Sequence, residues 1–146
     1  MSPKQSVASQ PEFFVDRSLG PETTGVLRRL GWIVHLINEV FPNDAQETAD
    51  EAWIAYGVQR GWGLLSKDKK IRFRAEELLA LSEQGKLFCL SNGNLLAREQ
   101  AETFDRAREQ IERALQRHEA ALYLVYNKGE IKKKWPSPSH RRGHSS

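Results

Sequence analysis

The stretch ADEAWIAYGVQRGWGLLSKD (49–68) decides the fold class. Its first part reads as a helix with Ala52, Trp53, Ala55, Tyr56 and Val58 on an apolar face. Thr48 stands in front of it as an N-cap, with Glu51 three residues on in a capping-box pattern. Gly61 ends the helix, and WGLLSKD (62–68) follows as an apolar strand closed by an acid. A helix delivered by one glycine into a buried strand is half of a βαβ unit, and the flanking sequence repeats the scheme.

Upstream, EFFVD (12–16) is a short apolar run that also closes on an acid, the pattern of a buried strand. TTGVLRRLG (23–31) reads as a helix capped by Thr23 or Thr24 and ended by Gly31, and WIVHLI (32–37) as a second strand. Downstream, AEELLALSEQG (75–85) reads as a helix stopped by Gly85, and KLFCLS (86–91) as the fourth strand. Residues 95–118 form the clearest helix, with Ala97, Ala101, Phe104, Ile111 and Leu115 along one stripe. Glu102–Arg106 and Glu109–Arg113 support its wet face. AALYLVYNKGEIKKKW (120–135) reads as a hairpin turning at Asn127-Lys128-Gly129. Strands alternate with helices four times. That predicts a three-layer α/β domain over residues 12–136: a central, mostly parallel sheet flanked by helices, with a C-terminal β-hairpin.

Residues 1–11, rich in Ser, Gln and Pro, read as a flexible arm, and residues 137–146 as a basic disordered tail. At 146 residues, 39% hydrophobic and 28% charged, the chain suits one soluble domain. Its longest apolar runs are far too short to span a bilayer, and the N-terminus lacks a signal-peptide stretch. One cysteine, Cys89, excludes an intrachain disulfide, and a cytoplasmic location is expected. Charge is uneven. From Lys128 to the end six basic residues face Glu130 alone, a net +5 within the total of +3, which leaves −2 on residues 1–127. Such a tail can steer a polyanion toward the protein or serve only as a solvated end.

In parallel α/β sheets the functional crevice lies beyond the carboxyl ends of the strands. Asp16 and Asp68 both fall there, and Asp50 opens the helix that feeds the third strand, so it faces the same edge. Three converging carboxylates repel one another, and a hard divalent cation with oxygen ligands, Mg²⁺ or Mn²⁺, relieves that conflict. Such an ion can acidify water and polarise a phosphoryl oxygen, so phosphodiester hydrolysis needs no Ser, Cys or His nucleophile. None is suitably placed here. The other reading of each acid is structural: a turn former at Asp16, a helix-dipole partner at Asp50, a solvated loop acid at Asp68. Arg17, Lys67, Lys69, Lys70, Arg72 and Arg74 crowd the proposed site in sequence, either to contact phosphates or as wet surface. His35, Trp32, Trp53, Trp62 and Cys89 read as packing residues.

An Asp, a helix, a Gly, a strand and a second Asp 18 residues after the first resembles the signature of PIN-domain nucleases. FFVDRSLG, GW-V-H, FPNDAQ, DEAWIA and GW-SKDKKIR, in that order, resemble the shortened PIN-like subgroup grouped with VapC-type toxins, from about residue 12 to residue 136. The resemblance implies Asp16, Asp50 and Asp68 as metal ligands. It also implies Ser66, two residues before the last Asp, as a helper for metal water or phosphate, beside Arg17, Lys67 and Lys69 as phosphate contacts. Larger PIN domains bring a further acid from a helical region that is abbreviated here, and the resemblance makes Asp44 the first candidate for it, with Glu51 and Glu47 as the alternatives. The function so implied is a Mg²⁺- or Mn²⁺-dependent endoribonuclease, the toxin of a toxin–antitoxin pair, with RNA as substrate, a small antitoxin as partner and a homodimer as assembly. The alternatives are a PIN-like nuclease of RNA processing or DNA metabolism, and a catalytically silent module that binds RNA or protein. A phospho-acceptor signalling domain also uses acids at strand ends, but it places an acidic pair after its first strand, where this chain has Asp16-Arg17.

Overall fold

The computed structural model of the chain describes residues 10–41, 50–67 and 74–136. The six described strands are β1 (Glu12–Val15), β2 (Ile33–Leu36), β3 (Gly63–Ser66), β4 (Lys86–Leu90), β5 (Ala121–Val125) and β6 (Ile131–Trp135). They form one sheet in the order β2-β1-β3-β4-β5-β6, parallel except for β6, which pairs antiparallel with β5 as the hairpin partner. The helices are α1 (Gly20–Arg29), α2 (Asp50–Gln59), α3 (Ala75–Ala80), α4 (Ala97–Arg106) and α5 (Arg108–Leu115), and a short 3₁₀ turn spans Ile37–Glu39. The predicted three-layer α/β class and its C-terminal hairpin are both present. The N-terminal arm to residue 9, the loop that holds Asp44, Glu47 and Thr48, residues 68–73 with Asp68, Lys69, Lys70 and Arg72, and the tail 137–146 lie outside the described residues.

Alternation along the strands divides the interior into two cores. Phe13 and Val15, Leu65, Phe88 and Leu90, and Tyr123 and Val125 point to one face, where they meet Leu27 of α1, Phe104 of α4 and Ile111 of α5. Phe14, Leu64, Leu87 and Leu122 point to the other, against Trp53 and Ile54 of α2 and Leu78 of α3. The crossover from β4 to β5 advances in the same direction as that from β3 to β4 but on the opposite face. Its hand is therefore opposite to that of the other three parallel crossovers, an uncommon arrangement.

Four local expectations are corrected. Thr23 and Thr24 do not cap α1, because the helix starts at Gly20 with Pro21 in its first turn. Both threonines are buried inside it, Thr23 Oγ1 donating to Gln100 Oε1 at 2.6 Å and Thr24 Oγ1 to Gly20 O at 3.1 Å. The buried face of α2 is Trp53, Ile54 and Gly57, whereas Ala52 and Ala55 are exposed. Gly57 is the point of closest approach: a Cβ there would sit 2.5 Å from Leu64 Cδ2. α3 ends at Ala80, short of Gly85, because Ser82 takes a left-handed φ of 63°. The long 95–118 helix breaks at Ala107 (φ −93°, ψ 4°) into α4 and α5. A straight helix of that length would run past strands only about half as long, at roughly 1.5 Å against 3.3 Å per residue. The bend keeps Ala107, Ile111 and Ala114 buried on the sheet. Among the described residues no helix is long and apolar enough to cross a membrane.

Candidate active site at the carboxyl edge of the sheet

β1 is the pivot of the topology. The chain leaves it for α1 on one face, while its neighbours β2 and β3 both send the chain to the other face. The backbone therefore parts on both sides of the carboxyl end of β1, the kind of opening in which α/β proteins bind ligands.

Asp16 sits at that point. Its N–H donates to Leu65 O at 2.9 Å, extending the β1–β3 ladder by one residue, and its C=O accepts from Leu19 N at 3.0 Å in the turn to α1. The residue is 6% exposed. Its Oδ2 accepts two hydroxyl hydrogen bonds of 2.8 Å, one from Ser18 Oγ and one from the fully buried Ser66 Oγ. Ser18 Oγ also accepts from Lys67 N at 3.4 Å, so one hydroxyl ties the loop after β1 to the loop after β3. A buried carboxylate needs such donors, because taking it out of water without them is costly. Ser66, read from sequence as a helper for metal water or phosphate, is placed by the structure against the Asp16 carboxylate. Ser18 was missed; its signal was an Asp-x-Ser turn directly after a strand.

Asp50 reaches the same edge by a different route. α2 runs antiparallel to β3, so its first residue, Asp50, lies at the carboxyl end of the sheet on the face to which Phe14 and Leu64 point. Its Oδ1 accepts from Trp53 Nε1 at 3.1 Å and its Oδ2 from Arg74 Nη1 at 2.9 Å. Arg74 Nη1 also reaches Glu77 Oε1 at 3.0 Å, and Glu77 is only 5% exposed. Arg74, read from sequence as a phosphate contact or wet surface, is thus an ion-pair bridge between two acids at the N-termini of α2 and α3. Glu77 was not singled out at all, because nothing in AEELLA marks which glutamate turns inward. Arg17 is exposed and Lys67 is half-buried. His35 packs as expected, with Nε2 at 2.8 Å from Glu12 Oε1 and its ring stacked on Trp62 at 4.0 Å.

The donors gathered here are oxygens, carboxylate and hydroxyl, the set that suits a hard divalent cation. Among the described residues no three His, Cys, Asp or Glu side chains form a group that could hold such an ion. Asp44 and Asp68, half of the proposed acidic set, lie outside those residues.

A parallel sheet opened at β1, with a buried acid in the opening and a second acid heading α2, is the arrangement of a PIN-like domain. The PIN like domain family matches residues 11–92, which span β1 to β4 and all four proposed acids, and the chain belongs to that family. It is 31% identical over 130 residues, 86% of this chain and 94% of the relative, to a protein of Mycobacterium tuberculosis (strain ATCC 25618 / H37Rv) called "Putative ribonuclease VapC45". No solved structure gives a significant match.

Proposed function

We propose that the chain is a Mg²⁺- or Mn²⁺-dependent endoribonuclease that hydrolyses RNA phosphodiester bonds as the toxin of a toxin–antitoxin pair. The observation that carries this reading is Asp16, buried at the opening beside β1 and held by Ser18 and Ser66, in a chain of the PIN-like family. Asp16, Asp50 and Asp68 would hold the ion, with Asp44 as a further acid. When bound, the ion would supply positive charge beside the scissile phosphate and lower the pKa of water. Ser18 and Ser66 fix the Asp16 carboxylate, so the ligand does not have to be ordered when an ion arrives. Arg17, Lys67 and Lys69 would contact phosphate oxygens, and the tail 137–146 would add contacts that make binding more salt-dependent. A small antitoxin partner, a homodimer and a cytoplasmic location belong to the same proposal.

The test is incubation of total RNA with the purified chain in Mn²⁺ and in EDTA, beside Asp16→Asn. Cleavage that needs the ion and Asp16 supports the reading; cleavage in EDTA, or by Asp16→Asn at the wild-type rate, sinks it. The Arg74–Asp50 ion pair favours a second reading, a silent RNA-binding module, because an arginine already neutralises one proposed ligand. Calorimetric titration with Mn²⁺ separates the two, since the silent module would take up no ion.

A further inference from the structure

We infer that the second opening beside β1, the one toward β2, is a nucleotide-binding cleft in which Asn38 reads the base next to the scissile phosphate. This rests on the ribonuclease reading and extends it from the phosphate to the base. The turn after β1 leaves for one face and the 3₁₀ turn after β2 for the other, so a cleft of about 210 Å³ opens between them. Asp16, Arg17 and Pro21 line it from the chain that follows β1, and Leu36, Ile37 and Asn38 from the end of β2 and the turn after it.

This chemistry fits a nucleotide. The apolar walls suit the faces of a planar base, and a carboxamide offers a donor and an acceptor side by side, the pair that reads a base edge. Single-stranded RNA is recognised in this way, by stacking or apolar contact plus edge hydrogen bonds. Asp16 itself lines this cleft, so a base seated here would place its phosphate beside the acid. The reading element is held in place. Leu36 N donates to Glu39 Oε1 at 3.0 Å, Glu39 pairs with Arg28 at 3.4 Å, and Arg28 Nη2 donates to Val34 O at 2.6 Å. Asn38 lies within that braced turn and is itself exposed.

The test has two arms on the full chain. In EDTA, the isotope-labelled protein is titrated with each of the four ribonucleoside 5′-monophosphates and with inorganic phosphate, and the Asn38 side-chain amide and Ile37 methyl signals are followed. Saturable shifts with some bases and not with phosphate are expected, and Asn38→Ala should weaken the preferred base by about tenfold relative to the others. Shifts with none of the nucleotides, equal shifts with phosphate, or an unchanged base preference in Asn38→Ala would overturn the cleft. In Mn²⁺, a randomised RNA is cleaved and the fragment ends are sequenced. A preference at one position flanking the cut should flatten in Asn38→Ala; the same profile in both proteins overturns the role of Asn38. If the wild-type chain cuts nothing, the ribonuclease reading fails by itself, and the titration still decides whether the cleft takes a nucleotide.

Discussion

Ser66 donates a 2.8 Å hydrogen bond to Asp16 across fifty residues of sequence, and both side chains are buried where β1 and β3 end side by side. Val15 pairs with Leu65 in register, so the next residues, Asp16 and Ser66, are neighbours by construction. The acid is therefore held from two segments. Ser66→Ala removes one of the two hydroxyl donors seen on it among the described residues and should cost roughly 1–3 kcal/mol in urea unfolding without metal. It should also slow RNA cleavage. Unchanged stability would show that Ser18 and the other surroundings of Asp16 carry the carboxylate alone.

Asp16→Asn should abolish cleavage while the chain stays folded, because a carboxamide oxygen can accept the same two hydroxyl bonds. Asp50→Asn should abolish it too, but with lower metal-free stability, since it loses the charge facing Arg74. That reverses, for Asp50, the expectation that three bare acids repel one another. Melting curves without metal beside RNA cleavage with Mn²⁺ test both. If either variant cuts RNA like the wild type, that acid is not a ligand.

Arg74 competes with any cation for Asp50. Arg74→Gln should raise Mn²⁺ affinity by about two- to fivefold, the scale of a half-exposed ion pair at roughly 0.5–1 kcal/mol. Calorimetric titration reads this directly. Weaker Mn²⁺ binding in the variant would mean instead that Arg74 holds Asp50 in the geometry the ion needs.

Thr23 and Gln100 join α1 to α4 by a buried 2.6 Å hydrogen bond, at a residue the sequence offered as a helix cap. Thr23→Val strands the Gln100 oxygen and should cost about 1–3 kcal/mol. Adding Gln100→Leu should cost less than the two single changes summed, because it removes the stranded group. Additive losses in chemical denaturation would show that the bond contributes nothing beyond packing.

Lys86 is 2% exposed at the start of β4, its Nζ donating to Gln84 O at 2.9 Å and Arg117 O at 2.7 Å. Burial holds its pKa below the ordinary lysine value, with the nearby Glu119 acting in the opposite direction. A lysine whose folded pKa is lowered penalises the folded state while it is protonated. That penalty is present at neutral pH and is relieved as pH rises from the lowered value toward about 10.4. The stability of the wild type relative to Lys86→Met should therefore climb across that alkaline window. A flat difference between the two in urea unfolding would show that the ammonium is not penalised by its burial.

Composition, hydrophobic alternation and glycine placement were enough to determine the α/β class, the strands and the closing hairpin. These depend on period and turn chemistry, which are local. The spacing of Asp16, Asp50 and Asp68 beside apolar runs likewise marked the edge at which chemistry was expected, because a parallel sheet puts all its carboxyl ends on one side. Tertiary structure decided the rest. Which of Thr23, Ser18, Arg74 and Glu77 meets which partner depends on strand order and on the face each connection takes, and neither is encoded in any one segment. The break at Ala107 follows from the width of the sheet beneath it, not from its own sequence. The cleft at Asn38 exists because the chain leaves β1 and β2 toward opposite faces. That divergence is a property of the assembled sheet, invisible to a reading that takes the strands one at a time.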